Sequence, residues 1–322
     1  MDVLSTDWSR SIGIDVPIVN APMGGVAGGA LAAAVSRAGG LGMIGMGSAA
    51  TAERLAAELH HVSKLDRPFG IGLVDWVAAN QPDLLTTAVA AGPALLCISF
   101  GETWEWVTRA HDAGVIAATQ VSDLAGAERA VAAGIDVVIA RGAEGGGHGQ
   151  PLVSTLPLLT ELLEHLPVPV LAGGGIGSGR GLAAVLAAGA SAAWLGTAFC
   201  ACTESLLSDA ARNAMLAAGD TDTMLTRVFD IAQGYPWPPQ LPERVLRNSF
   251  SDRWDGDEDS LSVDPAAAAQ LAQAIASEDY SQAPINAGQA VGSLTTVSSA
   301  AEVITQLSSA AAELLSPRPT RD

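Results

Sequence analysis

The sequence predicts an α/β protein whose main body is a closed (β/α)8 TIM barrel, extended by an additional C-terminal helical and irregular segment. Three observations predict it. A unit made of an apolar run, a loop with glycine, proline or polar residues, and an alanine-rich stretch recurs eight times before residue 204. The apolar runs are short and continuous rather than alternating, the pattern of parallel strands covered by helices on one face and by packed side chains on the other. Several helical stretches close on glycine, in SRAGG at 36–40, VAAG at 89–92, HDAG at 111–114, VAAG at 131–134 and LAAG at 186–189, where a left-handed residue ends the helix and turns the chain into the next strand. A doubly wound sheet carries fewer strands and a single glycine-rich dinucleotide turn, so it fits less well.

In chain order the strands are expected at Ile18–Met23, Leu41–Gly45, Phe69–Val74, Ala94–Phe100, Val115–Gln120, Asp136–Ala140, Val168–Ala172 and Ala192–Phe199. Helices are expected between them at Gly29–Ala38, Thr51–Leu65, Asp83–Ala91, Trp104–Ala113, Leu124–Ala133, Pro157–Leu166 and Arg180–Ala188. Residues 204–224 read as helix and complete a barrel unit over 1–224. From 225 to 264 the composition shifts to Pro236, Pro238, Pro239 and Pro242 among Tyr235, Trp237, Phe250 and Trp254. Proline this dense excludes regular helix, so the segment is expected to be a lid over the barrel, a subunit contact of a homodimer, or an irregular packing arm. Residues 265–322 then supply helices at 265–278 and 299–315, a glycine-bearing turn at Asn286–Leu294 and a frayed tail, SPRPTRD.

Composition narrows the function. Hydrophobic residues make up 49% of the chain and charged residues 16%, which provides a core and excludes a disordered chain. Sixteen Lys and Arg against 34 Asp and Glu leave a net charge of −18, which repels a phosphodiester backbone and argues against nucleic acid. Three cysteines, Cys97, Cys200 and Cys202, are too few for a disulfide framework, and the start MDVLSTDWSR lacks the order of a secretory signal, so a cytoplasmic protein is expected. The uncharged stretch Gly181–Thr203 is long enough for a membrane span, but it breaks at Gly189-Ala190-Ser191 into a helix-like and a strand-like half. No membrane partner is expected.

In such a barrel the C-terminal strand ends carry the site, and the loops after the seventh and eighth strands often hold phosphate. Here the seventh strand runs into Ala172-Gly173-Gly174-Gly175-Ile176 and the eighth contains Leu195-Gly196-Thr197; glycines there expose backbone N–H groups to an anion. The sixth strand exits into Arg141-Gly142-Ala143-Glu144-Gly145-Gly146-Gly147-His148-Gly149, a loop that lets backbone approach a flat ligand and carries one imidazole suited to proton transfer. Glu144 is read as a group that orients something at the site or, by preference, as a structural salt-bridge partner of Arg141. His60, His61, His111 and His165 fall on outer helices and are read as solvated. The first strand ends in Asn20-Ala21-Pro22-Met23, read either as a floor beneath a ring system or as a tight turn with a core methionine. Cys200-Ala201-Cys202 lacks the spaced partners of a zinc site, so buried thiols and no metal are expected.

IVNAPMGG at 18–25, DVVIARGAEGGGHG at 136–149, VPVLAGGGIGSGRG at 168–181 and LGTAFCACTES at 195–205 together resemble the nitronate monooxygenase family, once called 2-nitropropane dioxygenases. The resemblance continues through DTMLTRVF at 222–229, RVLRNSF at 244–250 and NAGQAVG at 286–292. It implies a barrel holding non-covalent FMN, with its phosphate on backbone around Gly174, Gly175, Gly196 and Thr197 and its ring beside Ala21, Pro22 and Met23. Gln120, Arg141, Gly146 and Gly147 complete the expected cofactor-binding set, and His148 is similar to the family's catalytic base or substrate-positioning histidine. The implied reaction takes a small-molecule alkyl nitronate, or the nitroalkane, and O2 to a carbonyl compound and nitrite. Enoyl-ACP and quinone reductases share the plan, so an NAD(P)H-dependent flavin reductase of enoyl thioesters or quinones stays open, as does a flavin- or phosphate-binding barrel without turnover. Two positions depart from the family pattern: Arg141 stands in place of glutamine, which adds positive charge beside the flavin, and Gly72 in place of asparagine, which is expected to enlarge the mouth.

Overall fold

The computed structural model describes residues 3–316; the tail expected beyond Ser316 lies outside the described residues. Strands in chain order are β1 (Ile18–Asn20), β2 (Gly42–Gly45), β3 (Phe69–Val74), β4 (Leu95–Ser99), β5 (Ile116–Val121), β6 (Val137–Arg141), β7 (Gly147–His148), β8 (Val170–Gly173), β9 (Ala192–Leu195), β10 (Thr223–Thr226) and β11 (Glu243–Leu246). Eight of them form one sheet in the order β1-β9-β8-β6-β5-β4-β3-β2, and all their pairings are parallel. A parallel bridge between Val19 and Leu41 joins the two ends, with Leu41 donating its N–H to Ile18 at 2.9 Å. The sheet therefore closes, and the fold is the expected (β/α)8 barrel.

Two layers of apolar side chains hold it. Val19, Leu41, Met43, Leu95, Val137, Ile139, Leu171 and Trp194 fill the inside of the ring, while the opposite faces of the same strands pack on alanine- and leucine-rich helices. Small residues are what allow helices to lie this close to strands. The cap glycines behave as expected, with Gly39, Gly92, Gly114, Gly134 and Gly189 at φ of 95°, 62°, 71°, 96° and 106°.

Departures lie mainly after β8. The last barrel strand stops at Leu195 rather than Phe199, and Thr197–Cys200 is a helical turn. Residues 204–224 hold only the helix Asp209–Leu216 and the start of β10. The segment 225–264 is more regular than its prolines imply, containing the helices Val228–Gln233, Ser249–Trp254 and Glu258–Ser262 as well as β11. Its four prolines are confined to 236–242, the stretch that has neither helix nor strand. β11 pairs antiparallel with both β10 and β7, forming a second, three-stranded sheet. The helix Ala300–Leu315 starts at a capping box of Ser299 and Glu302 and packs on the helices Gly179–Ala187 and Gly29–Arg37. The uncharged 181–203 stretch is helix then strand, and among the described residues no helix is long and apolar enough to cross a membrane.

Candidate active site

A cavity of about 240 Å³ opens at the C-terminal ends of the barrel strands. Every site residue expected from the sequence borders it: Ala21, Pro22, Met23, Gln120, Arg141, Gly146, Gly147, His148, Gly174, Gly175, Gly196 and Thr197. They come from the exits of β1, β5, β6, β8 and β9, so strand order alone brings them together.

The β8 and β9 exits form the glycine-lined side. Gly174 and Gly175 take φ of 115° and 67°, a region L side chains rarely adopt, and a Cβ on Gly174 would sit 2.8 Å from Thr155 Oγ1. Their N–H groups donate to no protein acceptor among the described residues. Gly288, from the 286–292 turn, donates its N–H to Thr197 Oγ1 at 2.9 Å. Curled backbone with free N–H groups in the left-handed region is an anion-binding geometry.

The floor lies across from it. A Cβ on Gly72 would fall 2.2 Å from Pro22 Cγ, so the proline ring takes the space that a side chain at 72 would occupy; glycine there does not enlarge the mouth. Met23 lies between the cavity and Cys200, whose thiol is 3.6 Å from the Met23 sulfur. Burial pushes the thiols of Cys97 and Cys200 up to about 12, so both are neutral, buried and poor nucleophiles. All three cysteines are free.

The β6–β7 loop wraps an arginine. Arg141 is buried, and its guanidinium donates to the carbonyls of Gly142, Gly145, Gly146 and Gly147 at 3.3, 2.8, 3.2 and 2.9 Å. A Cβ on Gly145 or Gly149 would meet that guanidinium at 2.8 or 2.6 Å, so at these two positions the loop's glycine content serves the arginine. The expectation of a positive charge presented to a flat ligand is thus corrected: Arg141 borders the cavity but its charge is committed to the loop. Burial, then Arg244, lower its value to about 10, with Glu144 opposing, so it stays protonated at neutral pH. Glu144 does not pair with Arg141; its carboxylate accepts from Thr155 N–H and Oγ1, both at 2.9 Å, at the start of the helix Thr155–His165. Arg244 holds the same loop through the Ala143 carbonyl at 3.1 Å.

His148 sits in a side-chain cluster that sequence reasoning missed. Its Nε2 is 2.9 Å from Asp230 Oδ2, and its ring stacks on Trp237 with centroids 3.6 Å apart and planes at 9°. Phe100 meets Trp237 edge-on at 5.1 Å; its φ of 75° is strained backbone of the kind found at functional sites. Trp237 is anchored by its indole N–H to Ser48 Oγ at 3.1 Å. Glu243 is the register partner of His148 across β7 and β11, and the ligating atoms of His148, Asp230 and Glu243 all lie within 4.8 Å of one another. Glu243 Oε1 is buried without a hydrogen-bond partner. Burial and, after it, the neighbouring Asp230 raise the Glu243 carboxyl well above the ordinary carboxylate range. The one local signal was an acidic residue inside the apolar run Val228-Phe229-Asp230-Ile231. The other four histidines are exposed, as expected.

A closed barrel with its working residues gathered at the C-terminal mouth defines a barrel enzyme, and comparison with known proteins gives its lineage. The nitronate monooxygenase family model matches residues 6–310, and the chain belongs to that oxidoreductase family. It is 33% identical over 251 residues to the (3aS,4S,5R,7aS)-5-hydroxy-7a-methyl-1-oxo-octahydro-1H-indene-4-carboxyl-CoA dehydrogenase of Rhodococcus jostii (strain RHA1), covering 78% of this chain and 68% of that one. Among solved structures it is similar to FabK from Thermotoga maritima, with a TM-score of 0.84, 29% identity and coverage of 96% and 97%. It is also similar to nitroalkane oxidase from Streptomyces ansochromogenes, with a TM-score of 0.81, 28% identity and coverage of 95% and 98%.

Proposed function

We propose that this chain is an FMN-dependent oxidase of alkyl nitronates and nitroalkanes that uses O2 and yields a carbonyl compound and nitrite in the cytoplasm. The observation that carries the reading is that one cavity holds both the free N–H groups of Gly174 and Gly175 and the imidazole of His148. The residues fit the cofactor: a phosphate needs backbone donors uncovered by side chains, and a ring system needs a flat floor such as Pro22 and Met23. Gly174, Gly175, Gly196 and Thr197 would hold the phosphate, with Ala21, Pro22, Met23, Gln120, Gly146 and Gly147 bordering the rest. Bound there, FMN would supply the electron-accepting centre, and the protein would supply orientation and proton handling. His148, held by Asp230 and Trp237, holds the nitro oxygens or takes the α-proton. The test is the absorbance spectrum of purified protein under anaerobic conditions, with and without propionate 3-nitronate. A yellow protein that bleaches with the nitronate supports the reading; a colourless protein that takes up no FMN, or a yellow one that keeps its colour, refutes it.

A second reading is an NAD(P)H-dependent flavin reductase acting on a thioester. It is favoured by a side cavity, also about 240 Å³, that shares Phe100, Gln120 and Arg141 with the first and continues to Trp104, Arg129 and Leu241. That is room for a substrate far larger than a small nitronate, and the Rhodococcus relative is named for a CoA-linked substrate. Rapid anaerobic bleaching by NADH or NADPH, with none by nitronate, selects this reading.

A further inference from the structure

A bulky side chain sits where the backbone favours glycine. Phe100, the first residue after β4, takes φ of 75°, in the region where L side chains are strained. Glycine stands one position later. A Cβ on Gly101 would fall 2.3 Å from the Asp75 carboxyl carbon, so the chain is pressed against that carboxyl and the turn is set. The ring of Phe100 meets Trp237 edge-on at 5.1 Å and 80°, and its centroid lies 6.5 Å from that of the His148 ring at 72°. Strain kept at a position that glycine would relieve points to a use for the ring.

That ring stands between two cavities of about 240 Å³ each. Phe100, Gln120 and Arg141 border both, and the last two are fixed. Gln120 donates from Nε2 to Ser99 Oγ at 3.2 Å, and Arg141 is bound to its four loop carbonyls. Phe100 carries no polar group in its side chain and is held by packing. The walls of the side cavity are pinned as well: Ser122 Oγ donates to Gln150 Oε1 at 2.7 Å, and the Gly149 N–H donates to the Pro242 carbonyl at 3.2 Å. One bend supplies Trp237 to the main cavity and Pro238 and Leu241 to the side cavity. With Val121 and Trp104, the last two give the side cavity apolar surface, of the kind that takes up methylene groups.

We propose that Phe100 is a specificity-determining residue, a partition whose ring limits the length of the alkyl chain that a substrate held at His148 can carry. The inference rests on the reading that the substrate sits at His148, and it narrows that reading to short-chain compounds. A short chain ends before the ring, whereas a longer one has to enter the space the ring fills in order to reach the side cavity. Removing the ring joins the two cavities. Each methylene then admitted to apolar surroundings is worth about fourfold in binding. The thioester reading needs this passage open, so the bulk at position 100 also sets the two readings of the site apart.

The test compares the nitronates of nitroethane and 1-nitrohexane on the purified protein. Aerobic kcat and KM are measured for both, and dissociation constants of the two parent nitroalkanes are taken by titration calorimetry, which needs no turnover. The wild type is expected to favour the ethyl compound in both measurements. Phe100→Gly, which the backbone angle favours, is expected to raise the hexyl-to-ethyl ratio of kcat/KM about tenfold or more, through a lower KM for the hexyl compound, and to shift the ratio of dissociation constants the same way. Phe100→Leu should fall between, and Phe100→Tyr, which keeps the ring, should keep the wild-type ratio. A wild type indifferent to chain length overturns the proposal. So does a ratio unmoved in both Phe100→Gly and Phe100→Leu, or one that rises only because the ethyl compound is lost. If the wild type turns over neither nitronate while Phe100→Gly still moves the binding ratio, the oxidation reading falls and this one stands.

Discussion

The two sides of the mouth are built from different materials. On the β8–β9 side the site is backbone: glycines at φ values of 115° and 67° border the cavity. On the β6–β7 side it is side chain: an imidazole stacked on Trp237 and bonded to Asp230, with Glu243 beside it. A backbone site is broken by adding atoms, whereas a side-chain site is broken by removing them or by changing one charge. The two sides should therefore fail differently, the first in ligand retention and the second in rate.

The largest effect is expected at His148. His148→Ala should lower turnover by about 10²–10⁴-fold, the usual contribution of a positioned acid–base group, while the protein keeps its bound flavin because the phosphate side is untouched. Turnover and flavin content are measured on the same preparation. Unchanged turnover removes the histidine from the reaction, and lost flavin joins the two sides into one unit.

Next comes the arginine at the join. Arg141→Lys keeps the charge but cannot reach the four carbonyls that the guanidinium fork reaches. A loss of about 2 kcal/mol in unfolding free energy is expected from hydrogen bonds to a buried charged group. Denaturant titration reads it; a variant as stable as the parent would show that the loop's shape does not depend on its arginine.

Gly174→Ala should be milder for stability and specific for the ligand. Its φ of 115° costs an L residue about 1–3 kcal/mol, and the new Cβ meets Thr155 Oγ1 at 2.8 Å. Relief requires the loop to turn, which moves the N–H groups. FMN affinity should fall about tenfold or more, with turnover per bound flavin nearly unchanged. Equilibrium dialysis against FMN checks the first and normalised kinetics the second.

The same contrast explains what the sequence made legible. The barrel could be read because its periodicity is local, and the glycine side because strand order fixes which loops meet. Arg141 was misread because nothing in 141–149 announces that the glycines fold back on the arginine rather than outward. Gly72 was misread because the ring that fills its space is Pro22, on another strand. Asp230 and Glu243 were missed for a similar reason. Asp230 lies 82 residues from the imidazole it contacts, and Glu243 meets it only through the register of β11 on a two-residue strand. The prolines mark the bend between those two carboxyls, and that bend carries Trp237, which borders the cavity.

The smallest effect, and the one that separates the two sides most cleanly, is the pH dependence of stability at Glu243. Its carboxyl is raised in the folded protein by burial and by Asp230, whereas in the unfolded chain it ionises near the ordinary value of about 4.3. Below that value both states hold the proton and its contribution is fully present. As pH rises the unfolded chain ionises first, so stability is lost progressively until the folded carboxyl also ionises. Glutamine has no proton to lose. Glu243→Gln should therefore become increasingly stabilising relative to the parent as pH rises above about 4.3, seen as a widening gap in Tm. Gly174→Ala, which touches no titrating group, should show a gap that does not change with pH. A Glu243→Gln gap that is flat, or that widens toward acid, would mean that the fold does not raise the carboxyl.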